Sequence, residues 1–272
     1  MFRKCALLFR PLFCLGLWVF LATAGAVCAE NGLANSKVTL RLPSGPVHAE
    51  VFEPVDRRNR PVVLVLHGAG GTLLDGSEMR RVARHLAAEG NAVYVLHYFE
   101  RTGTVFALNS SMKRHFRTWL QTVREAIPAI QGLRADRSPV GLYGYSLGGF
   151  LALFAASDNP RVAAVVEHAG GVWDGKMDRI GRMPAVLMVH GERDARVPFA
   201  QYAKPLVRVL RKRAATVETE FFSGEGHVFT PAAMTKVRAA AAKFFRTRVG
   251  GRARETAARG RAGSRVRAPA RP

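Results

Sequence analysis

Ser146 sits at the centre of Gly144-Tyr145-Ser146-Leu147-Gly148-Gly149, directly after a short apolar run and directly before an alanine-rich one. A serine in a G-x-S-x-G pattern between a strand and a helix fits a tight turn that lifts the hydroxyl out of a sheet edge. Flanking glycines supply the clearance such a turn needs, because a Cβ on either side would clash. The chemistry expected there is nucleophilic attack on a carbonyl. A serine hydroxyl is a weak nucleophile at neutral pH, so it needs a base, and the base needs an acid to orient it. The acid is sought in His190-Gly191-Glu192-Arg193-Asp194-Ala195-Arg196-Val197-Pro198, where Asp194 is the first choice and Glu192 the competitor. The base is sought in Gly224-Glu225-Gly226-His227-Val228-Phe229, where His227 sits on a glycine-flexed loop after the last apolar run. Two N–H donors must face the developing oxyanion. Leu147, the residue after the nucleophile, supplies one; the loop His67-Gly68-Ala69-Gly70-Gly71-Thr72 supplies the other, with Ala69 the first candidate and Gly70 the second.

Competing chemistries fit the residues less well. His67, His168 and His190 could be considered for zinc, but none shows paired ligand spacing, and neither a metal nor another cofactor is expected. The glycines after His67 lack the G-K-[ST] ending of a phosphate-binding loop, and no dinucleotide G-x-G-x-x-G is present.

The elements that must hold these residues follow from hydrophobic patterning. Strands are expected at Lys37–Leu42, Val47–Phe52, Pro61–Leu66, Ala92–Leu96, Val140–Tyr143, Val162–Val166, Ala185–Val189 and Val217–Phe222. Pro43-Ser44-Gly45-Pro46 makes the first two an antiparallel hairpin. The third run, apolar throughout, fits a central strand buried on both faces. Helices are expected at Glu78–Glu89, Ser111–Ile127 (weakened at Pro128), Leu147–Ser157, Phe199–Arg213 and Pro231–Phe245. The fold class is therefore α/β: a mostly parallel eight-stranded sheet with helices on both faces. The stretch from Glu167 to Met183, which contains Trp173, is too short to form a cap domain. An uncapped site suits small or accessible substrates.

With these motifs assembled, the chain resembles the dienelactone hydrolase branch of the α/β-hydrolase superfamily. The likeness rests on H-G-A-G-G at 67–71, Y-F-E-R-T-G at 98–103, G-Y-S-L-G-G at 144–149, H-G-E-R-D-x-x-V-P at 190–198 and G-H-x-F at 226–229. It implies an α/β-hydrolase fold and a compact, cofactor-free hydrolase of esters and lactones. Many members carry a cysteine nucleophile where this chain has Ser146, and His97 stands where other members have an acid.

The two ends of the chain read differently from the middle. Arg3, Lys4 and Arg10 precede the apolar run Leu12–Ala26 and then Val27-Cys28-Ala29, the layout of a secretory signal peptide over residues 1–29. Secretion or a periplasmic location is expected, with an uncleaved membrane anchor as the alternative. Cys5, Cys14 and Cys28 all fall in that segment, so no disulfide is expected in the processed chain. Residues 30–245 form the hydrolase domain. Residues 246–272 carry nine arginines and one acid, Glu255, and read as a disordered basic tail within a chain of net charge +21. No specific nucleic acid is expected as a partner; weak contact with an anionic surface through the tail is. The expected function is a secreted serine hydrolase acting on a small-molecule ester or lactone through an acyl-enzyme. An acyltransferase on the same three residues, or a non-catalytic envelope-binding protein using the tail, are the alternatives.

Overall fold

The computed structural model describes residues 28–250, apart from 31, 56–59, 135–136, 174–175 and 215. Nine strands are assigned: β1 Cys28–Glu30, β2 Leu33–Leu42, β3 Gly45–Pro54, β4 Val62–Leu66, β5 Ala92–Leu96, β6 Val140–Tyr145, β7 Val162–His168, β8 Ala185–Gly191 and β9 Val217–Phe222. The helices are α1 Gly71–Leu74, α2 Gly76–Ala88, α3 Asn109–Gly132, α4 Leu147–Ala156, α5 Ala203–Arg213 and α6 Pro231–Phe245. All nine strands lie in one sheet of order β1-β2-β3-β5-β4-β6-β7-β8-β9. The eight expected strands are present, and β1 adds a three-residue antiparallel edge outside β2. From β5 to β9 every neighbouring pair is parallel, while β3 joins β5 antiparallel.

The central strands are buried on both faces because the sheet is covered twice. Leu64, Leu66 and Leu142 pack with Trp119, Leu151 and Leu206 from α3, α4 and α5. Val63, Val65 and Tyr143, on alternate positions, pack with Val82, Leu86 and Val237 from α2 and α6 on the other face. A period-2 strand buried on both sides must be apolar at every position, as Val62–Leu66 and Ala92–Leu96 are.

Several boundaries differ from the sequence expectation: β2 begins at Leu33 rather than Lys37, α5 begins at Ala203 rather than Phe199, and two further differences bear on packing. Helix α3 does not weaken at Pro128 but runs through it to Gly132. Proline removes one N–H from the helical ladder, yet Ile127 and Ile130 on either side are fully buried, and their packing keeps the turn helical. The chain also stays on the body beyond Phe245. Arg246–Gly250 form a π-helical turn, Val249 is buried, and Arg246 and Arg248 pair with Glu89 and Glu218 at 2.7 and 3.0 Å. The packed domain thus extends about one turn into the segment assigned to the tail. Residues 251–272 and residues 1–27 of the expected signal peptide lie outside the described residues.

Parallel strands end on one edge, and every loop singled out for chemistry leaves from it. Ser146 follows β6, Asp194 follows β8, His227 follows β9 and the Gly68–Gly70 loop follows β4. Between β7 and β8 the described residues contain only a 3-10 turn, Met177–Arg179, so no cap covers that edge.

Candidate active site

Ser146 has φ 53° and ψ −119°, a conformation rarely adopted by a residue with a side chain. The turn can close this tightly because of its neighbours. A Cβ on Gly144 would strike the Gly148 carbonyl, and one on Gly148 would strike the Leu66 and His67 carbonyls. Hydrogen bonding holds the strained residue in place: its N–H donates to the His168 carbonyl at 2.8 Å, and its carbonyl accepts from Gly149 N–H at 2.8 Å as α4 begins.

The acid and base loops are laced together before they reach the serine. Arg193 N–H donates to the Glu225 carbonyl at 3.0 Å, and Glu192 N–H to the Phe222 carbonyl at 2.9 Å. Gly191 allows this approach, since a Cβ there would meet the carbonyls of Glu225 and Gly226. The Glu225 carboxylate accepts from Thr230 N–H and hydroxyl, both at 2.7 Å, which fixes the far end of the histidine loop to the start of α6. Tyr145, beside the serine, donates its hydroxyl to the His227 carbonyl at 3.2 Å.

These constraints bring the three residues into a continuous relay. His227 Nδ1 lies 2.7 Å from Asp194 Oδ2, and His227 Nε2 lies 2.9 Å from Ser146 Oγ. A carboxylate only accepts, so Nδ1 carries the proton and Nε2 is left to accept from the serine hydroxyl. Asp194 Oδ1 accepts from the backbone N–H of Arg196 and Val197 at 2.9 and 2.8 Å. Burial opposes the charge on Asp194, but hydrogen bonds from His190, His227 and Val197 outweigh it and hold the carboxyl well below the usual carboxylate range. Glu192, the competing acid, is exposed on the surface.

One expected oxyanion donor directly follows the nucleophile in sequence, and the other belongs to a loop that packs beside it. Leu147 is the first residue of α4, so its N–H has no partner within the helix. Gly68 packs against Ser146 Cβ, which places the β4 loop alongside the hydroxyl. Gly70, the second candidate, already donates its N–H to Asp75 Oδ2 at 3.0 Å, which leaves Ala69 as the candidate from this loop.

Sequence reasoning did not pick out Asp75. It is the residue before α2, where an acid ordinarily caps the helix, yet it makes no side-chain cap bond and turns back onto the glycine loop. Burial raises its pKa against the opposing pull of the Gly70 and Gly68 N–H groups. His190 was considered for a metal, but the structure gives it another setting. Its Nε2 donates to the Val197 carbonyl at 2.8 Å and lies 3.4 Å from Asp194 Oδ2. Burial opposes protonation of His190, while Asp194, Glu167 and the Val197 carbonyl raise its pKa above the ordinary value. Only its place four residues before Asp194 hinted at this contact.

His168 and His67 are packed residues. Burial pushes their imidazoles down to about 3 and about 4, so both stay neutral. His168 Nδ1 lies 2.9 Å from the Tyr143 hydroxyl, and His67 stacks on Tyr98 with ring centroids 4.2 Å apart. Among the described residues no three His, Cys, Asp or Glu side chains converge as metal ligands. His97, noted where relatives have an acid, is gripped by two acids, with Glu50 Oε1 2.9 Å from its Nε2 and Glu100 Oε1 3.4 Å from its Nδ1. Beside the relay, on the α2 and α6 side, opens a cavity of about 620 Å³ bordered by Leu74, Asp75, Tyr145, Val228, Met234 and Arg238.

A family model described as the dienelactone hydrolase family matches residues 47–249. The chain belongs to the dienelactone hydrolase family. That match contains all the residues named in the relay and both oxyanion loops. Solved structures share the fold at low identity. A putative dienelactone hydrolase from Klebsiella pneumoniae subsp. pneumoniae is 17% identical, with a TM-score of 0.66 over 79% of this chain and 99% of that one. A dienelactone hydrolase-like promiscuous phosphotriesterase from metagenomic libraries is 21% identical, with a TM-score of 0.65 over 80% and 99%. A cold-adapted esterase from an Arctic intertidal metagenomic library is 16% identical, with a TM-score of 0.64 over 83% and 98%. No curated protein matches the chain. The dienelactone hydrolase family is one of ester hydrolases, and this member carries serine at the elbow.

Proposed function

We propose that this member of the family cleaves a carboxylic ester or lactone by way of an acyl-enzyme on Ser146. The observation that carries the reading is the unbroken relay Asp194–His227–Ser146, at 2.7 and 2.9 Å, ending on a serine in a strained elbow. His227 Nε2 takes the hydroxyl proton as Oγ attacks the carbonyl carbon, and ionised Asp194 stabilises the resulting imidazolium. The carbonyl oxygen gains negative charge and is held by the N–H groups of Leu147 and Ala69, each donor contributing on the order of 3 kcal/mol to the barrier reduction. His227 then protonates the leaving alkoxide. Water, deprotonated in turn by His227, attacks the acyl-enzyme and releases the acid and free Ser146.

No cap covers the strand edge, and this supports an ester whose carbonyl is accessible from solvent or from a surface. Export from the cytoplasm completes the proposal, resting on the basic, apolar and small-residue order of residues 1–29.

The deciding experiment is hydrolysis of a short-chain p-nitrophenyl ester by the purified protein beside Ser146→Ala. Turnover that falls by several orders of magnitude in the variant supports the reading. Equal rates in the two proteins would remove Ser146 from the chemistry.

A further inference from the structure

We propose that the mouth of the site is a docking surface for an anionic phospholipid bilayer, from which an ester lying at headgroup level is drawn to Ser146. The substrate part of this rests on the hydrolase reading above; the docking part does not.

Among the described residues eight large apolar side chains are exposed, and six of them, Leu73, Leu74, Val105, Phe106, Leu108 and Val228, lie on segments that adjoin the oxyanion loop or the catalytic histidine, with Leu74 and Val228 bordering the cavity beside the relay. Three segments carry them, and each is fixed to the site. Leu73 and Leu74 end α1, which leaves directly from the oxyanion loop. The loop bearing Val105, Phe106 and Leu108 is stitched to that same loop by Ala107 N–H donating to the Ala69 carbonyl at 2.7 Å. The Val105 carbonyl also lies so close to Gly71 that a Cβ there would strike it. Val228 follows His227 and is 80% exposed. Scattered surface apolar residues are ordinary, but a group of them on segments held beside one site marks a binding surface.

Charge selects the occupant. Immediately after Leu108 the chain enters α3, where Lys113, Arg114 and Arg117 are exposed and no acid occurs before Glu125. None of the ion pairs found among the described residues involves these three cations. An apolar tip beside unneutralised cations fits a bilayer: the apolar side chains enter the acyl boundary while the cations meet phosphates. A second copy of the chain would instead bring like charges together, in a protein of net charge +21. No helix among the described residues is long and apolar enough to cross a membrane.

The test uses the full chain, both ends included, and vesicles of phosphatidylglycerol and phosphatidylcholine. Phe106→Ser with Leu108→Ser should lower vesicle partitioning at least about fivefold, with turnover of a soluble p-nitrophenyl ester within about twofold of wild type. Phe106→Trp should show a blue shift and quenching by brominated lipid in excess of the wild-type tryptophan signal. Unchanged partitioning of the double variant, or no excess quenching, overturns the proposal and leaves any binding to the two ends of the chain. A concentration-dependent dimer that the double variant abolishes overturns it in favour of self-association. Rim-dependent vesicle binding without ester turnover supports the docking surface while sinking the hydrolase reading.

Discussion

Asp194 Oδ2 faces two imidazoles at once, His227 Nδ1 at 2.7 Å and His190 Nε2 at 3.4 Å. The second histidine donates from a fully buried position on β8 and anchors the Val197 carbonyl as well, so it holds both the acid and the loop that bonds Asp194 Oδ1. A displaced acid turns His227 away from the serine, and a misplacement of about 1 Å can cost on the order of a hundredfold in rate. His190→Phe is therefore expected to lower kcat about ten- to a hundredfold with KM little changed. Steady-state kinetics on a soluble ester check this; a fall confined to KM would contradict it.

Asp194→Asn preserves the shape of the acid but offers an amide where a carboxylate oriented the base. The wrong tautomer of His227 becomes favoured, and kcat is expected to drop by roughly 10⁴. Retention of more than a tenth of wild-type activity would mean that another acid orients the histidine.

The elbow stores strain that glycine would not feel. Ser146→Gly removes the Cβ from a backbone at φ 53° and is expected to stabilise the fold by about 1 kcal/mol while abolishing turnover. Chemical denaturation reads this directly. Gly148→Ala has the opposite sign: its Cβ meets two backbone carbonyls that cannot move aside, and a loss above about 3 kcal/mol is expected.

Stability should fall in two successive pH windows. Burial pushes the Glu167 carboxyl from 4.5 up to about 7, so the folded chain holds a proton that the unfolded chain has released, and stability declines as pH rises from 4.5 to about 7. His97 behaves differently. Burial opposes its charge, but Glu100 and Glu50 outweigh it and raise the imidazole from 6.5 to about 9. That contribution is complete below 6.5 and is lost as pH rises through about 9. Melting temperatures across both windows should show the first decline flattened in Glu167→Gln and the second in His97→Phe. A single decline shared by both variants would refute the assignment.

At the other end of the scale, the Glu50 and Glu100 carboxyls are held at about 2. Burial opposes this, but it is outweighed by His97 and Arg80 around Glu50, and by His97 and His48 around Glu100. Their stabilisation is present above 4.5 and lost as pH falls towards 2. Glu50→Gln should shift the acid unfolding midpoint towards neutral pH in a far-UV titration; an unchanged midpoint would show that the pair contributes nothing.

The sequence carried the strands and the turn chemistry because both are local. Val62–Leu66 is apolar at every position, so a place at the sheet centre follows from the run itself. Glycines at 144 and 148 announce a close approach whatever the rest of the chain does. The order serine, acid, histidine after successive strands was legible for the same reason: a parallel sheet delivers all its C-terminal ends to one edge. The misjudged helix boundary at Pro128 has a different origin. Local propensity favours ending α3 there, while burial of Ile130 favours continuing it, and burial is invisible in a single stretch of sequence.

What only the tertiary structure decided are contacts between segments far apart in the chain. Nothing in Asp75 or its neighbours says that it abandons the helix cap for Gly70 N–H, because that choice depends on where β4 and β6 set the oxyanion loop. His190 looks like any histidine at a strand end until the loop from Asp194 to Val197 folds back over it. Leu73, Phe106 and Val228 lie far apart in the chain, and only the fold ties their three segments to the oxyanion loop and the catalytic histidine. Hydrophobic periodicity records which face of an element is buried, but it holds no record of which distant segment will cover it.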